Sequence, residues 1–98
     1  MDYSMPKARP NGSELTLAIV TVHPGARSRK EHSYPGEEII RVEHGEVVVV
    51  FPKLVGEEKE RRLHEGDVLH FRSDNPHYLE NRSEAPARVF VVRRMSLP

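Results

Sequence analysis

Short runs rich in apolar and β-branched residues, bounded by turn residues, recur along the chain, and around 38–42 and 77–81 they follow the period of two of a strand. Residues 15–22, Leu-Thr-Leu-Ala-Ile-Val-Thr-Val, open the pattern and are rich in β-branched side chains. His23-Pro24-Gly25 ends that strand, since Pro and Gly together mark a turn. Residues 26–35 read as a polar loop, and Pro35-Gly36 turns the chain into a second strand over 37–43. His44-Gly45 reads as the turn of a hairpin leading into residues 46–51. Four consecutive valines there predict a strand buried on both faces or crossed by a second sheet. Pro52 ends it and a polar loop centred on Gly56 follows. Shorter strand signals cover 61–64, 68–71, 77–80 and 87–93, separated by turn clusters such as Ser73-Asp74-Asn75-Pro76. No stretch carries a helical stripe, so the pattern predicts an all-β sandwich or barrel.

Ninety-eight residues suffice for one domain with one core. Residues 1–14 hold Pro6, Pro10 and Gly12 without periodicity and are expected to form a flexible lead-in or an edge-covering arm, with the domain proper over 15–98. Fifteen basic residues balance fifteen acidic ones. The zero formal charge argues against nucleic acid as a partner, because phosphate neutralisation supplies most of such affinity. The absence of cysteine excludes disulfides, zinc–thiolate sites and thiol nucleophiles. No apolar run reaches the roughly 18 residues of a membrane span and no signal-peptide core is visible, so the cytoplasm is the expected location. A small sandwich must also manage its edge strands. Residues 15–22 or 89–92 are expected to pair across a two-fold axis and make a homodimer.

The candidate chemistry gathers in two stretches, 32–45 and 66–81. By the two-residue period, Glu38, Ile40 and Val42 share one side of their strand, and His77, Leu79 and Asn81 share one side of theirs. With both sides turned inward, Glu38 and His77 meet in one cavity, and His32 and Tyr34 enter it from the preceding loop. Two imidazoles and a carboxylate (His32, His77 and Glu38) suit a divalent transition metal with open positions. Each has a plainer alternative. An inward Glu38 is a buried charge that needs a partner, which a structural salt bridge also supplies. His77 could equally be a hydrogen-bonded core histidine, and His32 a solvated loop side chain. Tyr34 reads as a pocket wall or hydrogen-bond donor, with Ile40, Val42, Leu79 and Phe90 as the apolar lining around a small-molecule ligand. Asn81 is expected to fix a turn through backbone hydrogen bonds. His23, His44, His64 and His70 lack partners at ligand spacing and read as surface or strand histidines; Arg93 and Arg94 read as solvated.

On these residues the chain resembles the cupin superfamily, small jelly-roll barrels built on two motifs. The family's first motif runs Gly, a spacer, His-x-His, three or four residues, Glu, six residues, Gly; Gly25, His32-Ser33-Tyr34, Glu38 and Gly45 follow that order here. The second runs Gly, five residues, Pro-x-Gly, two residues, His, three residues, Asn; Gly66, Arg72-Ser73-Asp74, His77 and Asn81 follow it. The resemblance implies a jelly-roll β-barrel, or double-stranded β-helix, with a metal held at positions 32, 34, 38 and 77. Tyr34 stands where the family has its second histidine. That leaves His32, Glu38 and His77 as the implied ligands for Fe, Mn, Ni or Zn, with water completing the shell. The runs His-Ser-Tyr-Pro-Gly-Glu-Glu, Leu-His-Glu-Gly-Asp and Glu-Ala-Pro-Ala-Arg-Val are similar, more narrowly, to the C-terminal sensor cupin of helix-turn-helix regulators of the lambda-repressor-like class. The residues before Leu15 are too few and too Pro-rich to form the helical domain that precedes the cupin in that class. The implied function is a small-molecule-binding sensor module, either stand-alone or excised from a regulator. The alternative is a metal-dependent enzyme of the non-haem dioxygenase or isomerase class.

Overall fold

A computed structural model of the chain describes residues 1–4, 15–28 and 35–95. Its strands are β1 (Asp2–Ser4), β2 (Leu15–Val22), β3 (Gly36–His44), β4 (Glu46–Val50), β5 (Glu60–His64), β6 (Val68–Arg72), β7 (Tyr78–Glu80) and β8 (Ala87–Met95). One 3-10 turn, Gly56–Glu58, interrupts the polar loop after β4. The strands form two antiparallel sheets, ordered β1-β2-β8-β3-β6 and β5-β4-β7. The all-β expectation therefore holds. The two sheets pack as a jelly-roll sandwich and, among the described residues, do not close into one continuous barrel wall. At one end they are laced together, because the chain leaving β2 runs on beside β7. Ser28 N–H donates to Leu79 O at 3.0 Å, and Asn81 N–H to Ala26 O at 3.0 Å.

The core follows from the period of two. Ala18, Val20 and Val22 of β2, Ile40 and Val42 of β3, and Val89 and Val91 of β8 face Val47, Val49, Leu63 and Leu79 of the smaller sheet. Each fully buried valine contributes about 1.5–3 kcal/mol relative to leaving it in water. The valine run has the two-sided burial its composition predicts, for a specific reason. β4 lies between β5 and β7, so Val47 and Val49 point into the core. On the other side, Val48 sits between Arg62 and Glu80 in register. There Arg82 clamps Glu60 (2.6 and 2.9 Å) and Glu80 (2.8 Å), so its apolar stem lies across the strand.

Three expectations are corrected. Gly45 does not close a hairpin, since β3 bonds β6 and β8 while β4 bonds β5 and β7. Both strands are central in their own sheets, so neither has an edge to offer the other. Gly45 instead carries the chain from one sheet to the next at φ +80°, with Pro86 O and Ala87 Cα each 3.0 Å from where a Cβ would stand. The strands expected to pair in a dimer are also interior: β8 runs between β2 and β3, and β2 between β1 and β8. Finally, Phe90 does not line the interior, because Ala87, Val89 and Val91 take the inward positions of β8 and leave Phe90 on the outer face.

Two local devices hold the strands that carry the site. Gly36 opens β3 at φ +142° against the backbone of β8, where a Cβ would overlap the Arg94 carbonyl oxygen. Asn81, fully buried, ends β7 as a knot of hydrogen bonds. Its Nδ2 donates to Val22 O and Ala85 O, both at 2.8 Å, and its Oδ1 accepts from Ser83 N at 2.9 Å and Ser83 Oγ at 2.7 Å. This is the turn-fixing role its place in the sequence suggests.

Candidate functional site

Glu38 is the third residue of β3 and points inward; His77 lies just before β7, on the same interior. Both are almost fully buried, at 2% and 3% exposed. His77 Nε2 lies 2.7 Å from Glu38 Oε2, and His77 Nδ1 lies 2.8 Å from the Asn75 carbonyl oxygen. The Asn75-Pro76 turn thus aims the ring. A carbonyl oxygen only accepts, so Nδ1 carries the proton directed at Asn75, and Nε2 is the ring atom that faces Glu38. Phe71 meets the ring edge-on, with centroids 4.8 Å apart, and Phe51 packs on Phe71 in the same T-shaped manner at 5.1 Å. These apolar walls lower the local dielectric and strengthen the attraction between the pair.

Arg93 is the residue the sequence reading misplaced. It was expected in solvent, but it continues the inward series Ala87, Val89, Val91 of β8, and its Nε reaches Glu38 Oε1 at 3.4 Å. The two carboxylate oxygens of Glu38 thus face different cationic partners. Burial by itself pushes the Glu38 carboxyl up. The hydrogen bond and charge of His77, with those of Arg93 added, outweigh burial and hold it below its ordinary value. The side chain of Arg93 keeps 32% exposure, which places it at the rim of the site rather than in its floor. The available signal was parity: two steps beyond Val91 is an inward position.

Above the pair is a cavity of about 20 Å³, enough for one water-sized body. Ile40 and Leu79 line it, with Tyr3, Ser28, Val91 and Arg93. Tyr3 comes from β1, whose pairing to β2 sets Tyr3 beside Val20, on the inward side. Val42 belongs to the core below the cavity. His32 and Tyr34 lie outside the described residues. Of the three expected metal ligands, the structure brings together Glu38 and His77. Among the described residues, no group of three His, Asp or Glu side chains is placed to hold a metal ion. The other four histidines are exposed and paired with surface carboxylates: His23 with Asp2, His44 with Glu65, His64 with Glu46 and His70 with Glu37. Among the described residues no helix is long and apolar enough to cross a membrane.

A family model for the cupin domain matches residues 18–93. Among solved structures, the chain is similar to a sugar phosphate isomerase from a cupin superfamily, from Silicibacter pomeroyi. Identity is 29% over 86% of this chain and 52% of that one, with a TM-score of 0.70. It is similar to the cupin domain of an XRE family transcriptional regulator from Enterobacter cloacae, at 22% identity over 98% of this chain and 97% of that one, TM-score 0.78. It is also similar to an HTH_3 family transcriptional regulator from Vibrio cholerae, at 19% identity over 97% and 51% of the two chains, TM-score 0.74. The two regulators speak for the fold alone. This chain spans about half the length of the isomerase and of the Vibrio regulator. No curated protein matches it.

Proposed function

We propose that this protein, which belongs to the cupin domain family, is a small-molecule-binding module of the sensor type whose ligand sits over Glu38 and His77. The observation that carries the reading is the buried pair itself, 2.7 Å apart at the floor of a lined cavity. Removing a carboxylate and an imidazole from water costs several kcal/mol per ion, and well-packed apolar side chains of similar volume would be as stable or more so. A charged cluster in that position, with Arg93 at its rim, is therefore better explained by binding than by stability. Ile40 and Leu79 supply apolar contact, and Arg93 favours a ligand that presents an oxygen with negative charge. Tyr34 belongs to the proposal as a hydrogen-bond donor from the preceding segment.

The pair also suits a divalent transition metal. Asn75 engages His77 Nδ1, the outer hydrogen bond that leaves Nε2 as the ligating nitrogen. Glu38 Oε2 and His77 Nε2 face each other across 2.7 Å, an oxygen and a nitrogen donor of the kinds such metals take. Glu38 and His77, with His32 as third ligand, would hold Fe, Mn, Ni or Zn, and the metal would supply Lewis acidity toward an oxygen donor on the ligand. A second reading, a metal-dependent enzyme of the isomerase or dioxygenase class, draws support from the 29% identity to the structure described as a sugar phosphate isomerase. The partner in either case is a small molecule and not nucleic acid, and the reading includes a cytoplasmic location and a homodimer.

Elemental analysis and native mass spectrometry of protein grown in Fe- and Mn-supplemented medium test this. Near-stoichiometric metal or a co-purified small molecule, lost in both Glu38→Gln and His77→Ala, is the expected result. Apo protein with no bound small molecule, and no thermal shift on adding Mn²⁺, Ni²⁺ or Zn²⁺, would sink it. Turnover of a sugar phosphate that depends on the metal would favour the enzyme.

A further inference from the structure

We infer that β1 is a movable strap over the Glu38–His77 cavity, and that the Tyr3 side chain is the plug a ligand displaces on its way in. A small-molecule ligand, the reading on which this rests, does not fit the cavity as it stands. The space is about 20 Å³, room for one water-sized body. Sites for small organic molecules run to roughly 300 Å³ or more. A ligand larger than water therefore enters only where a wall gives way.

Most of the walls are fixed. Ile40 and Val91 belong to β3 and β8, each paired on both sides within the five-stranded sheet, and are 2% and 3% exposed. Leu79 of β7 is tied to the segment after β2 in both directions. Ser28 N–H donates to its carbonyl oxygen at 3.0 Å, and Ser28 Oγ accepts from its N–H at 3.2 Å. Arg93 is held by Glu38. Tyr3 is different. It comes from β1, an edge strand of three exposed residues, paired on one side only, to Thr21, Val20 and Ile19 of β2. Tyr3 lines the cavity yet is 52% exposed, and its phenol makes no hydrogen bond among the described residues, so no polar contact holds the ring there. Asp2 ties the strand to His23 by an ion pair at 2.8 Å, but both side chains are more than half exposed. Surface pairs of that kind hold weakly. A short edge strand with such ties opens locally while the central strands stay paired.

The test fastens the strap. The chain has no cysteine, so Asp2→Cys with Thr21→Cys introduces a single disulfide between β1 and β2. These positions oppose each other in register, within reach of such a bond, and alternate with Tyr3, so the cavity lining is unchanged. Access is read on ligand-free protein with diethyl pyrocarbonate at about pH 8, where a solvated imidazole is neutral and reactive. The reagent is larger than the cavity, and mass spectrometry locates its label. The reduced variant should label His77 about as fast as the wild type, and the oxidised variant at least ~10-fold more slowly. His44, His64 and His70, exposed on other strands, should label equally in both forms. Asp2→Asn alone should speed labelling of His77 by no more than about 5-fold. Adding Tyr3→Ala to the oxidised variant should restore most of the lost rate; no recovery would overturn Tyr3 as the plug. Equal rates at His77 in the oxidised and reduced forms would overturn the strap, as would a folded wild type whose His77 never labels. Metal and small-molecule binding are measured separately, so a protein that opens at β1 but binds nothing would count against the proposed function and not against the strap.

Discussion

Glu38 and Ile39 are neighbours in the chain and opposites in setting: the carboxylate is 2% exposed and the isoleucine 38%. The same inversion holds across β8, where Arg93 reaches into the interior while Phe90 and Val92 lie on the outer face. In an antiparallel sheet with one solvated side, the ordinary arrangement is apolar inward and polar outward. Here the inner face carries a carboxylate, an imidazole and a guanidinium, and the outer face an apolar field. Each departure costs the free monomer something. The inner one takes charges out of water, and the outer one leaves hydrophobic area in it. Pairing with His77 and Arg93 offsets the inner cost within the chain itself, whereas Leu17, Ile39 and Val68 of the outer face keep a large share of their surface exposed.

The comparison can be broken most forcefully from within. His77→Ala removes the closest cation from a buried carboxylate, and the expected loss is about 3–5 kcal/mol of unfolding free energy in urea. A loss under about 1 kcal/mol would mean that water already reaches Glu38, and the inner face would be no different in kind from a solvated one. The pH dependence comes next. Because the folded Glu38 carboxyl is held below its ordinary value, the stability it contributes is complete above the usual carboxylate value of about 4.3. It is lost as pH falls through the depressed folded value. Urea midpoints at pH 6, 4 and 3 should therefore fall more steeply for the wild type than for Glu38→Gln; parallel curves would show that the carboxylate contributes nothing.

A sharper version replaces both partners. Glu38→Met combined with His77→Leu should leave stability within about 1 kcal/mol of the wild type, or raise it, while abolishing metal or ligand binding. A clearly destabilised double variant would return the pair to a structural role. The smallest effect on the folded monomer belongs outside. Val68→Lys should change unfolding free energy by no more than about 0.5 kcal/mol at a dilution where the chain is monomeric, since the side chain is already more than half exposed. A large loss there would show that the outer face is packed against its own chain.

Much of the inner face is legible in the sequence. Glu38, Ile40, His77 and Leu79 alternate with polar or exposed neighbours, so the period of two assigned them to one side, and all four are buried. β8 was not legible in the same way. Val89, Phe90, Val91 and Val92 are apolar at consecutive positions, so neither parity stood out, and Arg93 and Phe90 were placed on the wrong faces. The hairpin expected at Gly45 failed for a different reason. A glycine at positive φ serves equally well to reverse a strand or to carry it into another sheet, and the difference lies in which neighbours are free to pair.

Local chemistry in the chain was thus enough to settle the positions of β2 to β8 (though not of β1, within the expected arm), the all-β class, the absence of thiol chemistry and the inward direction of Glu38 and His77. These depend on side-chain alternation and on residue types at turns, which act within a few positions of one another. Which strands share a sheet, which edges stay open, and the 3.4 Å approach of Arg93 to Glu38 were decided by the tertiary structure. The last of these joins residues 55 apart in the chain, and hydrogen-bonding partners at such distances are selected by what the whole core excludes from water.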